Sequence, residues 1–281
     1  MFLAEKDGRG RINTMFTLLK KISKISVWKF IKYNYLTKGI KRKKGTYILP
    51  YKNAILEMGK NAELILEGRI RFGINKLNGS KAETMVRIQK NAKWIVHGEA
   101  WLFFDTFIDV HPGAVFETGF FSMNGGSVIV VGKRIEFRHN IMIGRDVTIY
   151  DSDFHQILNE NGKPSNFSKE VKIGNDVWLT NKIMVLKGVT IGDGALVSAM
   201  TLIRKDVPAH ALVAGIPGKV IKDSVHWSRE SICDYEAMAY KMKNVEKNMH
   251  GGGVKRFPPC KKLKSSNDVF GIQHFGLQDA A

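Results

Sequence analysis

A beat of six residues constrains this chain more than any other feature. Ile173, Leu179, Val185, Ile191, Val197 and Ile203 are aliphatic and follow one another at six-residue intervals. Upstream, Phe137, Ile143 and Ile149 keep the same spacing and register. Small residues crowd the position after an anchor (Gly144, Gly174, Gly192, Ser198), and small or β-branched ones often stand four after it (Val147, Val177, Val189, Ala195, Thr201). A period of six fits neither a helix nor one long alternating strand. It fits short strands, each followed by a turn. Three such segments close a triangular coil of about eighteen residues, and coils stack at the strand spacing of roughly 4.8 Å. The anchors then point inward, and the small residue beside each lets the corner turn tightly. Self-similarity at a short fixed period marks a solenoid. The fold class expected is therefore an all-β solenoid.

The beat does not cover the chain evenly. Residues 47 to 134 read as earlier coils with imperfect hexads. Ala62-Glu63-Leu64-Ile65-Leu66 and Ala92-Lys93-Trp94-Ile95-Val96 alternate as strands should. Residues 154 to 171 interrupt the hexads with Asn159, Asn161, Gly162, Pro164, Ser165 and Asn166, a loop leaving one corner. Ser231 to Asn248 reads as a helix, followed by a Gly251-Gly252-Gly253 breaker and a tail expected to be poorly ordered. The organisation expected is a basic helical segment over 1–46, a β-helix over 47–222, and a helical and disordered extension over 223–281.

Charge is the second constraint. The chain of 281 residues carries a formal net charge of +18. Between Asp7 and Glu57 there are thirteen Lys and Arg and no acidic residue. Such a field draws anionic surfaces or ligands. Residues 13 to 36 read as a basic amphipathic helix: Met15, Leu18, Leu19, Ile22 and Ile25 fall at helical spacing, and Trp28, Phe30, Ile31, Tyr33 and Tyr35 extend it. Two readings stay open for this region. The helix packs on the solenoid with a solvated charged face, or residues 13–44 lie as a peripheral contact on anionic lipid. No nucleic-acid motif accompanies the charge. The two cysteines, Cys233 and Cys260, make neither a metal spacing nor a disulfide framework. No signal peptide and no membrane span is expected, which points to the cytoplasm, with the inner face of its membrane as the peripheral alternative.

Hexads leave the hand of the coil open, and parallel crossovers are usually right-handed. The segment Ile135 to Lys222, however, resembles the hexapeptide-repeat acyltransferases, and among them the O-acetyltransferases of bacterial sugars, capsules and O-antigens. The resemblance rests on Asp151-Ser152-Asp153-Phe154-His155, on Val171 to Leu179, on Leu186 to Ala195, on Arg204-Lys205-Asp206-Val207-Pro208 and on Val213 to Ile221. It implies a left-handed parallel β-helix, a homotrimer with sites between subunits, acetyl-CoA as co-substrate, a sugar or glycan acceptor and no metal.

The resemblance also assigns roles. His155 matches the catalytic base of the family. An imidazole suits that task because a sugar hydroxyl is a poor nucleophile until a group titrating near neutrality takes its proton. Asp153, or Asp151, would orient the imidazole or stabilise its charge, although a corner-turning or solvated role is equally open. Arg138 and Asn140, about one coil earlier, would face the acceptor. For Trp178 two roles stay open, packing on the pantetheine arm of CoA or plain packing at the corner, and Thr180 and Ala199 stand where the family keeps small residues beside the thioester. Arg204, Lys205 and Lys219 would meet the CoA phosphates. Two departures are mild: Thr180 where Gly is commonest, and Gly218 where Ala is usual. Alternatives are a non-catalytic β-helix scaffold, an N-acetyltransferase acting on an amino sugar or amino acid, and a zinc carbonic anhydrase on the same prism. The last needs two histidines five apart, a spacing absent among the eight here.

Overall fold

The computed structural model describes residues 24–230 and Ile232. Three parallel sheets of seven, nine and seven strands form the faces of a prism. The first runs from Ile40–Arg42 to Thr190–Ile191, the second from Ile48–Pro50 to Leu212–Ala214, and the third from Ala54–Met58 to Leu202–Ile203. From Ile40–Arg42 to Leu202–Ile203, successive strands in sequence belong to successive faces, so each turn of chain makes one coil of a three-sided parallel β-solenoid. Lys219–Lys222 closes the second sheet by pairing antiparallel with Leu212–Ala214.

The hexad anchors point inward. Ile173, Leu179, Val185, Ile191, Val197 and Ile203 are at most 2% exposed, and Phe137, Ile143 and Ile149 join them in one continuous core. In this region Ile173 stacks on Ile191, Leu179 on Val197 and Val185 on Ile203, a spacing of eighteen residues each time. Earlier coils are longer. Leu64 stacks on Trp94, Trp94 on Phe116 and Phe116 on Ile135, spacings of 30, 22 and 19. The longest of these includes a loop between Ile70–Ile74 and Thr84–Ile88, and larger side chains fill this part of the core. The rings of Trp94 and Phe116 stack at 5.5 Å, and Phe116, Phe121 and Phe137 pack edge to face at 5.2 to 6.2 Å. The one polar atom of the Trp94 ring donates to Thr118 Oγ1 at 3.2 Å.

The corners correct one expectation. The small residue after an anchor is not the one that turns the chain. Gly144 is needed because a Cβ there would sit 1.6 Å from the carbonyl oxygen of Thr180 in the next coil. The left-handed backbone that makes the turn lies two residues later, at Asn140, Asp146, Asp176, Lys182, Gly188, Gly194 and Met200, and keeps the same six-residue period. Asn and Asp tolerate that conformation through short polar side chains.

The region read as a helix over 13–36 is different in the structure. Residues 13–23 lie outside the described residues, as does the helix read over Ser231 to Asn248 apart from Ile232. The described part is a five-residue helix, α1 (Val27–Ile31), capped by Ser26, followed by a π-helical turn, Lys32–Leu36. Tyr33 and Asn34 are buried, and their hydrogen bonds to the prism end the regular helix. Gly39 then turns the chain into Ile40–Arg42, a strand paired with Glu63–Leu66. A strand thus occupies part of the segment assigned to the helix, and the first coil starts before residue 47.

The outward side chains of the first sheet form a charged ladder. His97 bridges Glu67 (Nδ1 to Oε2, 2.7 Å) and Glu117 (Nε2 to Oε1, 3.0 Å), and Arg134 continues the ladder from Glu117. The hydrogen bond to Glu67, and then that to Glu117, raise the imidazole pKa. His97 in turn is the first cause holding both carboxylates below their usual range. The bridge therefore stabilises the fold while the ring is charged and both acids are ionised. Its contribution is present below the ordinary imidazole pKa and is lost as pH rises through the raised value; on the acid side it is lost through the lowered carboxylate values. The melting temperature of the wild type should fall more between about pH 6 and about pH 8 than that of His97→Gln. Parallel melting curves for the two proteins would refute this.

Candidate active site

His155 lies on the edge where the third sheet passes to the first. The strand Thr148–Tyr150 ends there, and the chain returns to the prism at Val171–Ile173. The next coil up is 36 residues away in sequence, Ile135 stacking on Val171, against eighteen in uninterrupted coils. The excursion between them carries the exposed His155 side chain.

Asp151 anchors the start of this excursion. It is fully buried, and its carboxylate accepts from the backbone N–H of Gly132 (2.5 Å), Lys133 (2.8 Å) and Arg134 (2.6 Å) in the preceding coil. A carboxylate bound in this way caps a corner and faces no solvent, so of the two acids Asp151 is structural. Phe154 follows with left-handed backbone (φ 58°). This costs a bulky residue on the order of 1–3 kcal/mol. Its ring is held against His111 (centroids 4.8 Å) and edge-on to Tyr150 (5.9 Å). Packing therefore over-determines the strained residue, which aims the chain outward just before His155.

Asp153 does not reach the imidazole in this structure. Its carboxylate accepts from Lys187 Nζ and from Asn166 Nδ2 (2.7 Å). Lys187, and then Asn166, hold its pKa below the usual carboxylate range. Asn166 also donates to the carbonyl of His155 (2.8 Å) and accepts from the N–H of Ile157 (2.8 Å). Lys187 donates to the carbonyl of Asn166 at 2.8 Å. One amide and one ammonium thus fix the backbone around the candidate base. Neither was singled out from sequence, because their partners lie 9 to 34 positions away and only the winding brings them together.

The remaining candidates divide among the three edges. Arg204 and Lys205 follow the third-sheet strand Leu202–Ile203 and stand exposed on the same edge as His155, two turns of chain later. Arg138 and Asn140 lie on the edge between the first and second sheets; Asn140 Nδ2 donates to Asp176 Oδ1 at 2.6 Å. Close by, His97, Glu117, Glu136, Arg138, His139 and Asn175 line a shallow cleft. Thr180 and Ala199 sit on the edge between the second and third sheets, and Thr180 Oγ1 donates to the carbonyl of Val197 at 2.8 Å. Trp178 is half-buried on the second sheet, and Lys219 is exposed on its closing strand. His155, Asp153, Arg204 and Lys205 therefore share one edge of the prism, and the other candidates lie on the other two edges or on the second sheet.

No family model matches the chain. Among curated proteins, galactoside O-acetyltransferase of Escherichia coli (strain K12) is 27% identical over 160 residues, covering 55% of this chain and 75% of that one. Polysialic acid O-acetyltransferase of Escherichia coli O1:K1 / APEC is 28% identical over 120 residues, 37% of this chain and 39% of that one. Serine acetyltransferase of Bacillus pumilus (strain SAFR-032) is 31% identical over 118 residues, 42% of this chain and 49% of that one. The chain therefore spans three quarters of the first relative and less than half the length of the other two. The chain is thus similar, at 27 to 31% identity over part of its length, to acetyltransferases, sugar O-acetyltransferases among them.

The two acids should separate cleanly on substitution. Asp151→Ala strands three backbone donors that the carboxylate now satisfies, and should cost at least about 3 kcal/mol of stability. Asp153→Ala, at an exposed position, should cost under about 1 kcal/mol. Denaturant melts of the two variants compare them directly, and equal losses would contradict the assignment.

Proposed function

We propose that this enzyme transfers an acetyl group from acetyl-CoA to a hydroxyl of a bacterial surface polysaccharide or of its lipid-linked sugar precursor. The observation that carries the reading is the placement of His155, exposed on a loop whose backbone is fixed by Asn166, Lys187 and the strained Phe154. His155 takes the hydroxyl proton as the acceptor oxygen attacks the thioester carbonyl. The tetrahedral oxyanion is held by backbone N–H groups at a corner. On its collapse the C–S bond breaks, and the imidazolium returns the proton to the departing CoA sulfur. No metal ion takes part. Asp153 serves as a positioning residue: ion-paired to Lys187 and bonded to Asn166, it holds the turn that presents the base.

Arg204 and Lys205 receive the phosphates of CoA near this edge. Trp178, Thr180, Ala199 and Lys219 lie elsewhere on the same prism, and Arg138 and Asn140 on a further edge. A homotrimer of prisms accounts for that division, because the edge of one protomer then faces another edge of its neighbour. Donor and acceptor clefts form between subunits, and the enzyme works in the cytoplasm, where acyl-CoA is at hand. The serine acetyltransferase relative supports a second reading, a small hydroxyl acceptor in place of a glycan.

His155→Ala should lower turnover by about 10²–10⁴-fold while leaving the circular dichroism spectrum and oligomeric state unchanged. Unchanged turnover would dispose of the mechanism. Arg204→Glu with Lys205→Glu should raise KM for acetyl-CoA with kcat nearly constant, the pattern of lost uniform binding; a fall in kcat alone would exclude a phosphate-binding role. Assays offering serine, free hexoses and polysaccharide in parallel separate the two acceptor readings.

A further inference from the structure

The segment from Val27 to Leu36 is amphipathic the wrong way round for a helix resting on a core. Lys29, Tyr33 and Asn34 turn their polar groups to the prism. Asn34 is 6% exposed; it donates to the carbonyls of Phe30 and Ile48 (both 2.8 Å) and accepts from the N–H of Ile48 (2.9 Å). The Tyr33 hydroxyl bridges the carbonyl of Ala54 (3.3 Å) and the N–H of Leu56 (3.1 Å). Lys29 Nζ reaches over to the carbonyls of Lys52 (2.7 Å) and Ala54 (2.8 Å). The large apolar side chains point outward: Val27 is 65% exposed, Trp28 64%, Ile31 41%, Tyr35 68% and Leu36 60%. They recur at positions one, two, five, nine and ten of the segment, which is one face of a helical path.

Five large apolar groups turned to solvent on a clamped segment are costly unless something covers them. The surroundings say what. Lys32, Lys38 and Lys44 are exposed beside this face, and no acidic residue occurs between Asp7 and Glu57. A second copy of the chain would bring the same cations against these and be repelled. Next to the face, a cleft of 370 Å³ is lined by Tyr35, Arg42, Lys44, Thr46 and Tyr47 among others. Arg42 lies over the Tyr35 ring at 4.7 Å. Lys43, which also lines the cleft, is ion-paired with Glu67, and Arg42 donates to Asn34 Oδ1 at 2.9 Å, which fixes the guanidinium in the cleft beside Lys44. Aromatic rings with lysines around them match the interface of a lipid bilayer, where the rings sit at headgroup level and cations meet phosphates. No helix among the described residues is long and apolar enough to cross a membrane.

We propose that this face is a docking surface for an anionic lipid bilayer, with Trp28, Tyr35 and Leu36 inserted at the headgroup boundary and a lipid phosphate in the Arg42–Lys44 cleft. The surface stands apart from the catalytic edge and does not rest on the reaction assigned above.

The test is cosedimentation of the full-length protein with vesicles of phosphatidylglycerol and phosphatidylcholine, against phosphatidylcholine alone. Binding should require the anionic lipid and weaken with added salt. Replacing Trp28, Tyr35 and Leu36 together by Ser should weaken it at least about tenfold, since each buried large apolar group is worth about that factor or more. Acetyl transfer to a soluble acceptor should be unchanged. Failure of the full chain to bind anionic vesicles, or undiminished binding by the triple variant, would overturn the proposal. So would a changed sedimentation coefficient in the triple variant, which would show that another copy covers the face. If the triple variant loses its melting transition, quenching by brominated lipid decides instead: the wild type should be quenched more than Trp28→Phe, and equal quenching would overturn the proposal.

Discussion

Everything in this prism depends on each coil lying flat on the next. A strand two residues wide, such as Trp178–Leu179, buries almost nothing alone and has no helix to cover it. It is held because its amides bond to the strands of neighbouring coils and its inward residue stacks on residues of like shape above and below. Parallel registration therefore comes before everything else. It explains why Ile, Leu and Val recur at six and why glycine is forced where two corners meet. It also explains why buried polar side chains are restricted to those with partners: among the described residues, no buried side-chain nitrogen or oxygen is left unsatisfied.

The same constraint shapes the edge that carries His155. A corner is the one place where the chain can leave the stack without breaking a ladder, provided it returns in register. Asp151 secures the point of departure by satisfying three amides of the coil beneath. Lys187, from the coil above, secures the loop from the other side. The candidate base is thus held between two coils of a rigid stack, on a loop that is itself free to differ. Preorganisation here comes from the scaffold's periodicity, and the loop adds only a strained Phe154 and a well-placed Asn166.

How much of this was readable in the sequence follows from the range of each interaction. The late coils were legible because Ile173 to Ile203 repeat with no insertion. The early ones were blurred because their coils vary in length, and Trp94, Phe116 and Phe121 fill space that no aliphatic repeat predicts. Left-handed corners at Asn140, Asp146, Lys182 and Met200 kept the period but not a residue type, so the turn was credited to the wrong position. The loop that carries His155 was legible from its break in the hexads; the separate surroundings of Asp151 and Asp153 were not, since they depend on contacts with Gly132 and Lys187 across coils. The N-terminal segment misled most. Its spacing leaves packing on the solenoid and contact with anionic lipid both open, and the polarity set by Asn34 and Tyr33 through bonds to Ile48 and Ala54 is encoded in no local pattern.

The excursion between Tyr150 and Val171 has an architectural consequence. Because Ile135 and Val171 stack as adjacent rungs whatever lies between them, the stack does not register the length of what is threaded out at that corner. The edge behaves as a socket. Different loops can be plugged into it, each presenting its own chemistry, while the column beneath stays the same. Diversification of acceptor choice on such a column then requires no renegotiation of its core.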